Sequence, residues 1–133
     1  MPEQAHILIV DDDPELRDTL RDVLEELGYV VSSAKDGREA LRQLLTAANR
    51  PNLILLDLQM PNMDGTEFRN EQLKVSELAD IPVAVLTADT DGRRKAAAMH
   101  TAACLEKPLK LLQLLTTIPR VMDPPPSSEK EPG

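Results

Sequence analysis

Aromatic residues are nearly missing from this chain, which has one Phe, one Tyr and no Trp among 133 residues. Its interior must therefore be filled by Leu, Val, Ile and Ala. Cysteine is almost as scarce: Cys104 stands alone, which excludes an internal disulfide and a Cys-based zinc site and fits a reducing compartment. Positive charge is in deficit, with 15 Lys and Arg against 23 Asp and Glu and a net charge of -8. That balance opposes sequence-independent attachment to nucleic acid or anionic lipid, so no direct nucleic acid binding is expected. No apolar run approaches the roughly 18 residues needed to cross a bilayer, and Met1-Pro2-Glu3-Gln4 has neither a basic region nor an apolar signal stretch. The expectation is a cytoplasmic protein without membrane insertion.

What the chain does contain is a set of short apolar runs that each end on a polar residue able to handle a phosphoryl group. Ile7-Leu8-Ile9-Val10 leads into Asp11-Asp12-Asp13, Leu53-Ile54-Leu55-Leu56 into Asp57, Val83-Ala84-Val85-Leu86 into Thr87, and Ala103-Cys104-Leu105-Glu106 into Lys107-Pro108. Between the runs lie helical patterns. Asp13-Pro14 pairs an N-cap with a proline at the first helical position, Leu16, Leu20, Val23, Leu24 and Leu27 follow at helical spacing, and Gly28 ends the helix. A half-buried strand is expected over 29–34. Asp36-Gly37-Arg38-Glu39 and Asp64-Gly65-Thr66-Glu67 both have capping-box spacing, the second opening a helix that reaches about Leu78. Further elements are expected at 91–99 (helix), 102–106 (strand) and 109–118 (helix). Strand and helix thus alternate five times, the pattern of an α/β fold with a parallel sheet, helices on both faces and right-handed crossovers. The expected domain is 1–118. From Pro119 the composition turns polar and proline-rich, and 119–133 is expected to be a disordered tail or linker.

In such sheets ligands bind outside the carboxyl ends of the strands, where Asp11, Asp12, Asp57, Thr87 and Lys107 would meet. Three carboxylates repel one another unless a cation, a proton or the Lys107 ammonium compensates. An oxygen-only ligand set with few carboxylates suits Mg²⁺, which readily shares its shell with phosphate. Asp57 is then a candidate carboxylate nucleophile, with Mg²⁺, Lys107 and the Thr87 hydroxyl placed to neutralise the transferred group. Each residue alone has a plain structural reading: Asp13 as a helix cap, Cys104 as a small buried hydrophobe, His6 and His100 as surface or turn residues, and Arg93-Arg94-Lys95 as a solvated helix face. The joint order of the strand-end residues carries the argument.

Across residues 6 to about 118 the chain resembles the receiver domains of two-component response regulators. The matching marks are Asp11-Asp12 after an apolar strand, Asp57 followed by Met60-Pro61 and Asp64-Gly65, then Thr87-Ala88 and Lys107-Pro108. The resemblance implies a flavodoxin-like (β/α)5 fold with strand order 2-1-3-4-5. It implies Asp57 as phosphoacceptor, Asp12 as direct metal ligand, Asp11 as an acidic neighbour acting largely through water, and the backbone carbonyl of Gln59 as a further metal ligand. Thr87 and Lys107 would sense the phosphoryl group, the Lys107-Pro108 bond would be cis, and Gln59 and Asp89 would stand where the lifetime of the aspartyl phosphate is tuned. The chain would take its phosphoryl group from a histidine kinase or phosphotransfer protein. It would then signal to an output partner through the face of the fourth helix, fifth strand and fifth helix. Such a switch catalyses only its own phosphorylation and dephosphorylation. The chain departs from the pattern at Cys104, which replaces the usual aromatic of the fifth strand, and more mildly at His100, in place of a turn glycine, and at Leu109, in place of a common Phe. Two other functions compete: a phosphorylation-independent scaffold, and a phosphohydrolase of the haloacid dehalogenase type, suggested by Asp11-Asp12-Asp13. The hydrolase lacks support downstream, because beyond Lys107 the only carboxylates are Asp123, Glu129 and Glu131. The chain is read as a single-domain regulator or an excised receiver.

Overall fold

The computed structural model describes residues 5–46, 50–88 and 90–122. The β-branched and leucine-rich runs form five strands, His6–Val10 (β1), Val30–Ala34 (β2), Leu53–Asp57 (β3), Val83–Thr87 (β4) and Ala103–Glu106 (β5). They pair in parallel in the order β2-β1-β3-β4-β5. β3 and β4 are buried at every position, as central strands covered on both faces must be, whereas edge strand β2 carries Ser32 and Ser33 and is only partly buried.

Among the described residues six helices cover the sheet: Pro14–Glu26 (α1), Gly37–Thr46 (α2), Gly65–Leu73 (α3), Ser76–Ala79 (α4), Gly92–Ala98 (α5) and Leu111–Val121 (α6). Alternation along the strands sorts the core into two layers. Ile7, Ile9, Leu53, Leu55, Ala84, Leu86 and Leu105 pack with Leu20 and Leu24 of α1 and Leu114 and Ile118 of α6. On the other face Leu8, Val10, Ile54, Leu56, Val83 and Val85 meet α2, α3, α4 and α5 around Phe68, the single Phe of the chain.

The caps form largely where the sequence places them. Asp13 accepts the Glu15 N–H at 3.0 Å, and Asp64 with Glu67 makes a complete capping box. At Asp36 the box is shifted: Asp36 accepts the Glu39 N–H at 2.8 Å, but the Glu39 carboxylate takes the N–H of Lys35. Gly28 adopts φ +99 behind α1, and His100 adopts φ +57, the left-handed backbone expected of its glycine-like position.

Several boundaries differ from expectation, and the helix expected over 91–99 is shorter by one residue at each end. β2 and β5 each begin one residue later than the sequence pattern suggests. The single helix expected over 65–78 is two, because Val75 is extended (φ -106, ψ 111) and the buried Gln72 amide ties the following turn back onto α3. The last helix starts after an extended Lys110 and continues through Pro119 to Val121. Proline removes one helical hydrogen bond there, but Ile118 and Met122 are both buried and anchor the final turn. The packed chain therefore reaches residue 122, and the tail expected beyond it lies outside the described residues.

Candidate functional site

The sheet register brings the polar strand ends to one edge. Val10 pairs with Leu56, Asp57 with Leu86, and Thr87 with Glu106, so Asp11, Asp57, Thr87 and Lys107 emerge within about one residue of the same level. Carboxylate oxygens of Asp11, Asp12 and Asp57 all lie within 4.8 Å of one another. Asp11 is fully buried, Asp57 nearly so, and Asp12 exposed.

The three carboxylates are not equivalent. Asp11 has both oxygens engaged: Oδ1 accepts the Asp13 N–H and Oδ2 the Lys107 ammonium, each at 2.9 Å. Its backbone is fixed as well, since its N–H donates to the Ala34 carbonyl and its own carbonyl accepts from the Arg17 guanidinium at 2.6 Å. Asp57 makes only long contacts among the described residues, 3.5 Å from Lys107 Nζ and 3.4 Å from the Gln59 N–H, both at Oδ1. Burial, then the charge of Asp11, push its pKa up to about 6 against the opposing pull of Lys107. Burial alone would lower the Lys107 pKa, but the bond to Asp11 and the charges of Asp11 and Asp57 outweigh it and hold it above its ordinary value.

Three carboxylates against one ammonium leave two negative charges at the edge. The donor set is all oxygen, and Asp12 faces solvent, so the cluster fits a hard divalent cation that keeps part of its water shell. Next to it a cleft of about 130 Å³ is lined by Thr87, Ala88, Thr90, Glu106 and Lys107. A larger, mostly apolar cleft of about 460 Å³ lies on the other side of Lys107, between α1 and the start of α6.

Two glycines make this packing possible, and the sequence reading assigned neither a role at the edge. A Cβ on Gly92 would sit 2.2 Å from Thr87 Cγ2 and 2.5 Å from its Oγ1, so the absence of a side chain at the start of α5 is what admits the Thr87 side chain. A Cβ on Gly65 would sit 2.6 Å from the Asp57 carbonyl oxygen and 2.9 Å from Leu58 Cα. Those are backbone atoms that cannot turn aside. Gly65→Ala is therefore expected to lower stability by about 2–3 kcal/mol, read as a shift of the urea midpoint with unchanged slope. A midpoint within error of wild type would show that α3 is free to slide away from β3.

The Lys107–Pro108 bond is cis, as the resemblance implied. Cys104 pairs with Val85 in β5, short of the edge, half-buried against the α5 face of the core, and burial raises its thiol pKa before the opposed effects of Arg93 and Glu106. It behaves as a small core residue and takes no part in the carboxylate cluster. Asp89 lies outside the described residues.

Comparison with known proteins agrees with this fold. The response regulator receiver domain profile matches residues 7–119. Response regulator MprA of Mycolicibacterium vanbaalenii is 40% identical over 113 residues, covering 84% of this chain and 47% of that protein. The chain thus spans about half the length of the curated relatives it matches. Among solved structures, Vibrio cholerae chemotaxis protein CheY4 is 34% identical with a TM-score of 0.82, over 90% of this chain and 99% of that one. Thermotoga maritima response regulator TrrA, in complex with Mg²⁺ and BeF, is 28% identical with a TM-score of 0.77, over 88% of this chain and 98% of that one.

Proposed function

This chain belongs to the response regulator receiver domain family, and on that premise we propose that it is a Mg²⁺-dependent phosphoacceptor switch with Asp57 as the acceptor. One observation carries the choice of Asp57. It is the one buried carboxylate of the cluster whose oxygens are not tied up in short hydrogen bonds. Its raised pKa also makes it a more basic oxygen donor than an ordinary carboxylate once ionised.

In the transfer, an Asp57 carboxylate oxygen attacks the phosphorus of a phosphohistidine on a histidine kinase or phosphotransfer protein. The new O–P bond forms as the N–P bond breaks, and the electron pair leaves with the imidazole nitrogen. Asp12, Asp57 and the Gln59 carbonyl would hold the cation, with Asp11 as their acidic neighbour acting largely through water. The bound ion supplies charge neutralisation for the phosphoryl oxygens. The Thermotoga relative forms a complex with Mg²⁺ and BeF, which supports a cation requirement. Lys107 exchanges part of its contact with Asp11 for the phosphoryl group, and the Thr87 hydroxyl turns toward it. Gln59, exposed two residues beyond Asp57, and Asp89 tune how long the group survives. The result is a change in protein contacts, not metabolic turnover, and β5 contributes no aromatic ring to it because Cys104 occupies that position.

The test is intact-mass measurement after incubation with a small acyl phosphate, with Mg²⁺ and with EDTA. One phosphoryl group per chain is expected, only with the cation. Unmodified protein with every donor, alongside normal partner binding, would establish the scaffold instead. Steady phosphate release that survives Asp57→Asn and stops in Asp11→Asn would establish a hydrolase.

A further inference from the structure

A helix lying on a core normally turns an apolar stripe inward. α3 instead buries Arg69 and Gln72 alongside Phe68. The Arg69 guanidinium has no carboxylate within ion-pair distance among the described residues. It donates from Nε to the Met99 carbonyl at 3.0 Å, from one terminal nitrogen to the His100 carbonyl at 2.8 Å, and from the other to Gln72 Oε1 at 2.9 Å. Gln72 Nε2 then spans the carbonyls of Leu78 and Ile81, at 2.8 and 3.0 Å. Two side chains thus join α3 to the C-terminal corner of α5 and to the turn between α4 and β4.

A guanidinium keeps its charge under all ordinary conditions. If the corner at 99–100 slid away from α3, the buried guanidinium would lose the Met99 and His100 carbonyls and keep only Gln72 as partner, a costly outcome for a buried ion. The corner and α3 must therefore move together. Thr66 adds a second contact between them, its hydroxyl lying 3.8 Å from Met99 Sδ. At its other end α3 rests on the acceptor strand: the Gly65 N–H donates to the Leu58 carbonyl at 3.0 Å, and Gly65 is pressed against the Asp57 carbonyl. No comparable bridge starts from Cys104, whose short side chain reaches only the adjacent core.

We propose that α3, through Arg69, is the link that carries a displacement at Asp57 to the C-terminal corner of α5, in place of a side chain from β5. The link rests on the phosphoacceptor reading above. It makes Arg69 a positioning residue, since it touches neither the acceptor nor the cation cluster. Its effect belongs on the response of α5 and not on the chemistry at Asp57.

Hydrogen exchange by mass spectrometry on protein with and without the phosphoryl group, read over 96–101, tests it together with the intact mass. Wild type is expected to change protection there on phosphorylation. Arg69→Met is expected to reach an adduct yield within about twofold of wild type while losing most of that change, because coupling between sites can be removed without touching either ligand contact. If Arg69→Met does not fold, the double variant Arg69→Met with Gln72→Leu replaces the buried polar pair by apolar residues of similar size, an exchange cores commonly tolerate. A full-sized response at 96–101 in either folded variant, or a wild type that takes the phosphoryl group with no response at 96–101, overturns the link and leaves the acceptor reading standing. A wild type that takes no phosphoryl group overturns both.

Discussion

Asp57→Asn is expected to abolish the phosphoryl adduct and, in the absence of Mg²⁺, to make the protein more stable than wild type. Both effects come from the same placement. The carboxylate is nearly fully buried beside Asp11 and Asp12, and its pKa is raised from 3.8 to about 6. A carboxyl group that holds its proton more tightly in the folded chain than in the unfolded one favours folding when protonated and opposes it when ionised. Wild-type stability should therefore fall as pH rises between roughly 4 and 6 and level off above, with a ceiling of about 3 kcal/mol for a shift of this size. The amide has no charge to lose, so the variant should lack that slope and gain about 1–3 kcal/mol over wild type at pH 7 in EDTA. The comparison uses urea unfolding followed by far-UV circular dichroism, because the chain has no Trp. Subtracting the two pH profiles isolates Asp57 from the other carboxylates, Asp36 among them, whose pKa moves the opposite way: burial there is outweighed by hydrogen bonds from Glu39 and Asn62. Adding Mg²⁺ should stabilise wild type by mass action and leave the variant nearly unchanged. A variant less stable than wild type in EDTA would mean that Asp57 is held by favourable contacts and not poised by repulsion.

The gathering of Asp11, Asp12, Asp57 and Lys107 was legible because it depends on periodicity and connection alone. Apolar runs separated by capped helices make parallel strands, and parallel strands deliver their C-terminal residues to one edge. Caps at Asp13 and Asp64 were legible for the same local reason. The Arg69–Gln72 tie was not. In sequence these two residues read as polar positions on a helix surface, and only the fold shows that the carbonyls of residues 78, 81, 99 and 100 converge on them. That same tie, with the extended Val75, explains why one expected helix became two. The contact of Arg17 with the Asp11 carbonyl and the clasp between Asn62 and Asp36 have no local sequence signature, because each depends on the path of a turn. Asn62 did carry a signal, since Asn is among the residues that best tolerate its φ of +66. In the sequence Gly65 belongs to a capping box, and Gly92 merely falls within the helix expected over 91–99. Their role is steric, set by how closely α3 and α5 approach β3 and β4, and no local pattern encodes that distance.

Lys107→Met should separate the electrostatic support of the edge from its chemistry. The ammonium lies 2.9 Å from Asp11 Oδ2 and 3.5 Å from Asp57 Oδ1, and Asp11 has no exposure to water. Without it two buried carboxylates face each other beside a third. The metal-free protein is expected to lose about 2–4 kcal/mol at pH 7, the lower part of that range reflecting partial solvent access at Lys107. The loss should shrink as pH falls, because Asp57, whose pKa already stands near 6, takes up a proton more readily still once its cationic neighbour is gone. Mg²⁺ should restore much of the stability, since a divalent ion replaces the missing charge. The variant should still form the phosphoryl adduct, more slowly than wild type, because acceptor and cation ligands are intact. It should nevertheless show a weakened response in α5, having lost the contact through which the Lys107 side chain exchanges Asp11 for the phosphoryl group. An adduct formed at the wild-type rate, with a full α5 response, would mean that Lys107 serves only to neutralise the empty edge.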